Sequence, residues 1–366
     1  MNPAPTTLDR LGWGPFFAES FDAVVADSKG DGDLAPARVS IEHNYLFRVQ
    51  TASCDEAGVL ASVAGSIKHA AQTQMSLPGV GDWVALRAND TGPATIHAVL
   101  PRRTYFSRKA AGNTTAEQVV AANIDTIFLV SGLDDDFNEN RIQRYLVAAA
   151  DSGARPVIVL NKVDLSPALE HAIDIVRRLA GDVPIHAVSC VDQRGLEALA
   201  TYLRIGQTVA LLGSSGVGKS TIINRLLGHE RQRTRSTRAS DGRGRHTTVH
   251  RELLVHPDGG VIIDTPGMRE LRLWDRNRAV EMAFDDIEQY ATDCHFRDCR
   301  HRTEPGCAVR RAVEEGRIQS DRLTRYDQLQ REREQLTERR DQLTELVERQ
   351  AEVKRTPRPS RRVFKR

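Results

Sequence analysis

The stretch 207-QTVALLGSSGVGKSTIINRLL-227 decides the fold of this chain. It begins as an apolar strand, continues as 213-GSSGVGKS-220 with the phosphate-loop spacing G-x-x-x-x-G-K-[ST], and becomes helical near Lys219. Glycines let the loop backbone fold closely around phosphate groups with its N–H groups pointing inward, and the helix N-terminus adds positive potential. The sequence therefore predicts a nucleoside triphosphate site at the end of a buried strand.

The residue types in this loop predict separate roles. Lys219 would neutralise oxygens of the β- and γ-phosphates, and the hydroxyl of Ser220 would be a ligand of the Mg²⁺ that accompanies the nucleotide. The predicted nucleotide-binding residues of the loop are Gly213, Ser214, Ser215, Gly216, Val217, Gly218, Lys219, Ser220 and Thr221.

A second motif, 161-NKVD-164, directly follows the apolar strand 156-PVIVL-160. The carboxylate of Asp164 can accept hydrogen bonds from the ring N1–H and the exocyclic amine of guanine, which adenine lacks. Asn161 could reach the O6/N7 side of the base, and the stem of Lys162 could pack over the ring. Alone, N-K-x-D is usually a strand-end turn, but beside a phosphate loop it favours GTP over ATP. The rest of the predicted base-binding set is Val163, together with Ser189 and Cys190 of 188-VSC-190.

A third motif, 264-DTPG-267, closes the apolar strand 261-VIID-264. Asp264 would hold Mg²⁺ through water, and the N–H of Gly267 could sense the γ-phosphate. A plain Asp-Pro-Gly turn is the alternative, and the phosphate loop upstream makes it the weaker interpretation. Asp264 and Lys219 are therefore also predicted to take part in catalysis.

The patterns around these motifs predict two kinds of sheet. Between about 36 and 105, five short alternating runs predict a small β-barrel of the OB type, with a β-sandwich fragment as the alternative. These runs are 38–42, 45–51, 58–65, 82–88 and 94–100. From about 118 to 275, apolar strands alternate with helical segments, which predicts a doubly wound, mainly parallel sheet. The strands are 125–130, 156–160, 183–188, 207–212 and 261–264, and the helices are 139–151, 167–180, 195–203 and 219–227.

Cysteine and histidine are concentrated in 294-CHFRDCRHRTEPGC-307, which has the spacing C-x4-C-x-H-x5-C. Thiolate and imidazole at this density suit tetrahedral Zn²⁺, and four protein ligands leave no open position for chemistry. The sequence therefore predicts a structural zinc site. Its predicted ligands are Cys294, Cys299, His301 and Cys307. His295 is the competing nitrogen ligand, but its adjacency to Cys294 strains chelation.

The order of the motifs is unusual, because 161-NKVD-164 and 188-VSC-190 precede the phosphate loop. An ordinary GTPase has the phosphate loop first, then D-x-x-G, then N-K-x-D. Circular permutation gives the order found here and leaves the spatial arrangement of the site intact. With a barrel before it and a Cys/His cluster after it, this order resembles the circularly permuted, small-ribosomal-subunit-dependent GTPases that assist ribosome maturation. The resemblance covers residues from about 36 to 310.

That resemblance implies GTP hydrolysis stimulated by the 30S subunit, an OB domain that faces rRNA, and a zinc domain in which His301 is the nitrogen ligand. It also implies that 244-GRHTT-248 is the first switch, in which Thr247 or Thr248 is a Mg²⁺ ligand. His246 is a candidate for positioning the attacking water; a solvated loop histidine or an rRNA contact is an equally good interpretation. Many GTPases place a water-orienting glutamine where this chain has Met268. A thioether cannot orient water, so intrinsic hydrolysis should be slow.

Composition sets broader limits. The chain has 366 residues, with 51 Lys and Arg against 49 Asp and Glu, so bulk charge does not identify a partner. No apolar run approaches the roughly 18 residues that a membrane span needs. The five cysteines are an odd number, and three fall in the Cys/His cluster, which is a metal pattern and not a disulfide framework. We expect a cytoplasmic monomer without membrane contact.

Shifts in pattern predict five segments. They are an N-terminal extension (1–35), an OB-fold RNA-binding domain (36–110), a circularly permuted GTPase domain (111–276), a C-terminal helical zinc-binding domain (277–316), and a charged helical segment with a basic tail (317–366). The extension carries an apolar patch around Trp13 and Phe17 and should be helical or irregular. The tail is interpreted either as an RNA contact or as a solubilising end.

Together these patterns predict a GTP hydrolase that acts as a nucleotide-dependent switch in late maturation of the 30S subunit. Its partners would be GTP and GDP, the 30S subunit and its 16S rRNA. Its cofactors would be Mg²⁺ with GTP and one structural Zn²⁺. The alternative is an RNA-binding ribosome assembly factor in which the nucleotide is only structural. A kinase with a phosphate loop would leave N-K-V-D and D-T-P-G unexplained.

Overall fold

The computed structural model describes residues 6–28, 33–43, 45–53, 57–70, 74–109, 117–134, 137–228, 251–264, 284–296, 299–331 and 334. The chain divides into two compact units. The first comprises Met1–Gly112 and Ala116–Arg272, and the second comprises Asn113–Thr115 and Leu273–Arg366. Among the described residues, no helix combines the length and the apolar composition needed to cross a membrane.

The amino-terminal sheet of the first unit is a closed barrel. Its strands are β1 (Leu34–His43), β2 (Leu46–Gln50), β3 (Val59–Val63), β4 (Trp83–Arg87) and β5 (Ala94–Val99). They pair in the order β1-β2-β3-β5-β4, and β4 returns to β1. Only β3 and β5 run parallel, and a short helix, Gly65–Ala70, follows β3. This closed order confirms the predicted OB-type barrel and excludes an open sandwich fragment.

A second group of strands in this unit forms a mainly parallel sheet. Its members are β8 (Thr126–Gly132), β9 (Arg155–Asn161), β10 (Ile185–Val188), β11 (Thr208–Leu212), β12 (Glu252–Val255) and β13 (Val261–Asp264). They lie in the order β10-β9-β8-β11-β13-β12, and only β12 is antiparallel to its neighbour. All five strands predicted for this sheet are present, each within two residues of its expected ends.

Helices cover both faces of this sheet, as a doubly wound fold requires. They are Glu139–Ser152, Leu169–Ala180, Leu196–Ala200 and Lys219–Leu227. The first two pack with Ile127, Leu129 and Ile158 in one apolar cluster. The last two pack on the opposite face, in a cluster that contains Phe128 and Val130. Because side chains alternate along a strand, consecutive residues of β8 serve both cores.

The barrel and the parallel sheet are continuous, which the sequence analysis did not predict. Strand β1 is ten residues long, and its Ile41 pairs with Glu252 of β12, giving one sheet of eleven strands. A separate hairpin of β6 (Tyr105–Lys109) and β7 (Glu117–Ala122) was also not predicted. The long β1 reaches beyond the barrel and pairs an edge of β12 that would otherwise be open.

The described residues before the barrel are folded as part of the first unit. They form helices Thr7–Arg10 and Pro15–Asp27, and a capping box between Thr6 and Asp9 caps the N-terminus of the first helix. Trp13 and Phe17 pack against Trp83 of β4, with ring centroids 4.7 and 5.7 Å away. The apolar patch predicted in the extension therefore completes the core and does not form a loose arm.

A buried arginine joins these parts. Arg38 of β1 is 1% exposed, and its guanidinium donates to the carbonyls of Leu11, Gly81 and Asn123 and to the hydroxyl of Thr208. Burial lowers the pKa of Arg38 to about 10, which leaves it charged near neutral pH. One side chain thus links the N-terminal segment, the barrel and the strand that leads to the phosphate loop.

The second unit contains helices Asp285–Ala291, Ala308–Glu314 and 320–331. Tyr326 of the last helix is buried, packs edge to face against Phe284 with ring centroids 5.3 Å apart, and donates its hydroxyl hydrogen to Glu288 at 2.9 Å. Arg322 forms an ion pair with Asp286. The beginning of the segment predicted to be solvated and charged therefore packs inside this unit. Its inward residues are spaced three and four apart, which places them on one helix face.

The Arg38 contacts predict a stability effect. Arg38→Lys keeps a charge but replaces a planar fork with a compact ammonium that cannot reach four separated acceptors. We expect the free energy of unfolding of the first unit to fall by about 2–4 kcal/mol, because buried acceptors lose their donors. Urea unfolding followed by tryptophan fluorescence measures this. Arg155→Lys, at an exposed position, is the matched control, and equal unfolding midpoints for the two variants would contradict the role of Arg38.

Candidate functional site

The carboxyl ends of five parallel strands gather the predicted site residues at one edge of the sheet. β11 leads into the phosphate loop, and its neighbour β13 ends at Asp264, which is buried. β9 ends at Asn161, and β10 leads into Ser189. In a doubly wound sheet, this edge is where ligands bind. The three motifs therefore converge although their order along the chain is permuted.

Close approach of backbone segments accounts for the glycines of the phosphate loop. Gly216 and Gly218 have φ angles of 84° and 98°, which favour glycine. A Cβ on Gly218 would lie 2.2 Å from the side-chain nitrogen of Asn161, and one on Gly213 would lie 2.4 Å from the carbonyl oxygen of Val130. The loop thus leaves no room for a side chain at Gly213 or Gly218, whereas the backbone conformation alone favours glycine at Gly216.

Lys219 and Ser220 begin the helix that follows the loop. The ammonium of Lys219 donates to the carbonyls of Gly213 and Ser214 at 2.6 and 2.7 Å. These contacts hold the positive charge over the loop. Ser220 and Asp264 offer a hydroxyl and a carboxylate oxygen on neighbouring elements, a donor set that suits Mg²⁺.

Asn161 connects the second motif to the first. Its side-chain amide donates to the carbonyl of Val217 at 2.8 Å, across 56 residues of sequence, and Asn161 is buried. The structure therefore places its amide nitrogen on the phosphate loop. The predicted contact of Asn161 with the O6/N7 side of a base stays a prediction.

Asp164 is exposed at the same edge, and Ser189 orients it. The buried hydroxyl of Ser189 donates to Asp164 Oδ1 at 2.7 Å and accepts from the N–H of Asp192 at 3.1 Å. Cys190 is buried, and this burial raises its pKa to about 11, so it remains a neutral thiol. In this structure, Ser189 acts by holding the carboxylate in place, and Val163 is buried beneath the turn.

Lys162 has a partner that sequence reasoning missed. Its ammonium forms an ion pair with Asp134, which follows β8 at the same edge of the sheet. The available signal was the acidic run 134–136 directly after an apolar strand. Several predicted residues lie outside the described part of the chain. They are His246, Thr247, Thr248, Gly267 and Met268.

In the second unit, the ligand atoms of the four predicted zinc residues all lie within 4.8 Å of one another. Cys294 Sγ is 3.9 Å from Cys307 Sγ and 3.6 Å from His301 Nδ1, and the latter two atoms are 3.4 Å apart. With Zn–S of about 2.3 Å and Zn–N of about 2.0–2.1 Å, a tetrahedral site has edges of about 3.8 Å between sulfurs and about 3.5 Å between sulfur and nitrogen. The cluster therefore fits a tetrahedral zinc ion.

Local structure prepares these ligands for metal. Cys307 caps helix Ala308–Glu314, and its sulfur accepts from the N–H of Arg310 at 3.5 Å. Burial lowers the pKa of His301, which favours the neutral imidazole that binds metal.

The cluster predicts a metal-dependent second unit. Cys307→Ser should lower the zinc content of the purified protein from about one ion per chain to a small fraction, because a structural site needs all four ligands. Metal analysis measures this, and faster amide exchange across 284–331 should accompany the loss. Cys190→Ala, a buried thiol outside the cluster, is the control and should retain its zinc. Full zinc content in Cys307→Ser would remove Cys307 from the site.

Comparison with known proteins places the chain in a family. Residues 99–274 match the family described as RsgA GTPase, and residues 208–351 match the family described as 50S ribosome-binding GTPase. The chain is 47% identical over 336 residues to the small ribosomal subunit biogenesis GTPase RsgA of Opitutus terrae, with 89% of each chain covered. It is 44% identical to the protein of that name from Methanosarcina acetivorans, covering 83% of this chain and 81% of the relative.

Solved structures agree with the fold. YjeQ from Thermotoga maritima superposes with a TM-score of 0.59 at 26% identity, covering 81% of this chain and 97% of the other. YloQ, whose structure is titled a circularly permuted GTPase, superposes with a TM-score of 0.57 at 23% identity, covering 85% and 96%. The predicted resemblance is thus confirmed: this chain belongs to the RsgA family of circularly permuted GTPases, a family of GTP-hydrolysing enzymes.

Proposed function

We propose that this chain hydrolyses GTP and acts as a nucleotide-dependent switch late in the biogenesis of the small ribosomal subunit. The hydrogen bond from Asn161 to Val217 carries the proposal, because it brings the base motif against the phosphate loop despite the permuted order. The names of the relatives support the ribosomal role, since they are small ribosomal subunit biogenesis GTPases. Stimulation of hydrolysis by the 30S subunit is part of the proposal.

The chain would bind the triphosphate through its phosphate loop. Backbone N–H groups of 213–221 and the ammonium of Lys219 face the β- and γ-phosphates. Asp164, oriented by Ser189, accepts from the two donors on the guanine edge. Ser220 and Asp264, with Thr247 or Thr248, would hold Mg²⁺, which neutralises charge on the β- and γ-phosphate oxygens.

Water is the nucleophile in this proposal, and its activation is assigned to residues outside the described part of the chain. His246 is the candidate for positioning the water, and the N–H of Gly267 would sense the γ-phosphate. Met268 stands where a water-orienting glutamine is common and cannot replace it. Slow intrinsic hydrolysis follows, and the 30S subunit would complete the site.

Each remaining segment of the chain has a role in the same proposal. The barrel (36–110) would contact 16S rRNA, the GTPase domain (111–276) would carry the switch, and the zinc domain (277–316) would be held by one structural Zn²⁺. The extension (1–35) and the charged segment with its basic tail (317–366) complete the proposed organisation. RNA affinity should come mostly from phosphate contacts and fall with salt. A cytoplasmic monomer without membrane contact is also part of the proposal.

The enzymatic proposal is tested by GTP hydrolysis of the purified protein, alone and with added 30S or 50S subunits. We expect slow turnover alone and a rise of at least about tenfold with 30S subunits only, because the ribosome supplies what Met268 cannot. ATP is the control nucleotide and should not be hydrolysed. No turnover under any of these conditions would favour the alternative, an RNA-binding assembly factor in which the nucleotide is only structural.

Base selection is tested at Asp164. Asp164→Asn should raise the dissociation constant for GTP by about 10- to 100-fold, because two hydrogen bonds to a charged acceptor are lost. It should also favour xanthosine triphosphate, whose exocyclic oxygen the new amide can meet. Competition with a fluorescent GDP analogue measures both constants. Asp174→Asn, an exposed carboxylate paired with Arg177 on helix Leu169–Ala180, is the control; unchanged GTP affinity in Asp164→Asn would remove Asp164 from the site.

A further inference from the structure

Asp134, the ion-pair partner of Lys162, belongs to none of the three sequence motifs. Lys162 has φ 66° and ψ 36°, a left-handed conformation that side-chain-bearing residues rarely adopt. Such conformations persist where the surrounding structure over-determines them, and they are concentrated at functional sites. The conformation is therefore a reason to ask what holds this side chain and what its placement achieves.

Backbone hydrogen bonds fix the position of Asp134. The N–H of Leu133 donates to the carbonyl of Asn161 at 2.8 Å, which ties this segment to the residue before Lys162. The N–H of Phe137 donates to the carbonyl of Asp134 at 2.9 Å. Asp134 is thus set beside the base motif by the backbone, before any side-chain contact is considered.

Gly132 supplies the room that the ion pair needs. A Cβ at this position would lie 2.6 Å from Asp134 Oδ1 and 3.6 Å from Cδ of Lys162. The side chains of Asp134 and Lys162 therefore pass over the backbone of Gly132, which has no side chain, at the end of β8. They are 28% and 22% exposed, so the pair is partly shielded from water.

The ion pair with Asp134 holds the ammonium of Lys162, and the left-handed backbone conformation fixes the Cα end of the same side chain. Between the ammonium and the Cα of Lys162 lies an apolar stem of four methylene groups. A purine whose edge contacts Asp164 and whose phosphates lie in loop 213–220 must pass beside this stem. A stem whose two ends are already held costs less rotamer entropy when the ring packs on it.

We propose that Asp134 is a positioning residue of the nucleotide site, which holds the stem of Lys162 as a preformed apolar surface for the purine ring. The inference rests on the proposed function, because it takes GTP as the ligand. A surface against the ring face contacts every purine alike. Asp134 therefore contributes to affinity, whereas selection of guanine belongs to Asp164.

The experiment compares Asp134→Asn with the unchanged protein in binding of GTP and inosine triphosphate, a purine nucleotide that lacks the exocyclic amine. Both dissociation constants should rise by about three- to tenfold, with their ratio unchanged, as expected for loss of a partly shielded ion pair. In hydrolysis with 30S subunits, KM should rise and kcat should stay constant. Asp134→Glu should restore part of the affinity, and Asp174→Asn is again the control carboxylate.

A comparison in a second background separates loss of the ion pair from any change in the overall stability of the protein. Lys162→Met keeps an apolar stem of similar length but has no ammonium for Asp134 to hold. In that background, Asp134→Asn should produce no further loss of affinity. An equal loss with and without the ammonium would overturn the proposal, because Asp134 would then act by another route.

Other results of the same measurements also test the positioning role of Asp134. Unchanged affinity in Asp134→Asn, a changed ratio between GTP and inosine triphosphate, or a lower kcat at constant KM would each overturn the positioning role. Failure of the unchanged protein to bind GTP would instead count against the proposed function. The two failures are therefore distinguishable in one set of measurements.

Discussion

The buried guanidinium of Arg38 is the interaction on which the first unit depends. Its donors reach the N-terminal segment at Leu11, the segment before β8 at Asn123 and the first residue of β11 at Thr208. Desolvating a charge is costly, and the lowered pKa of Arg38 reflects that cost. The cost is offset only while all these acceptors stay in place. The barrel, the N-terminal helices and the strand that carries the phosphate loop are therefore linked by one side chain.

The nucleotide site follows from the parallel sheet more than from the order of the chain. Loops that leave neighbouring parallel strands meet at one edge, wherever the chain begins and ends. Three residues of the base motif each have a separate support: Asn161 on Val217, Lys162 on Asp134 and Asp164 on Ser189. Permutation changes which loops connect the strands, and these contacts form in the permuted chain.

Much of the architecture could be read from local patterns. The five barrel strands and the five parallel strands were predicted because alternation and apolar runs are properties of a few consecutive residues. The pairing of β12 with β1 was missed because it joins residues about two hundred positions apart. The burial of Tyr326 was missed because a charged helix with few apolar residues looks solvated until its neighbour Phe284 is known.

The sequence by itself determined the residue types and their spacing: a phosphate loop, an N-K-x-D motif with its carboxylate, and four soft ligands at zinc spacing. Residue type and local spacing suffice for these, because each motif works within a few residues. Tertiary structure alone decided which side chains hold the motifs in place. Arg38 meets Thr208 across 170 residues, Asn161 meets Val217 across 56 and Lys162 meets Asp134 across 28. Contacts at such separations depend on the packing of whole elements, which no local pattern encodes.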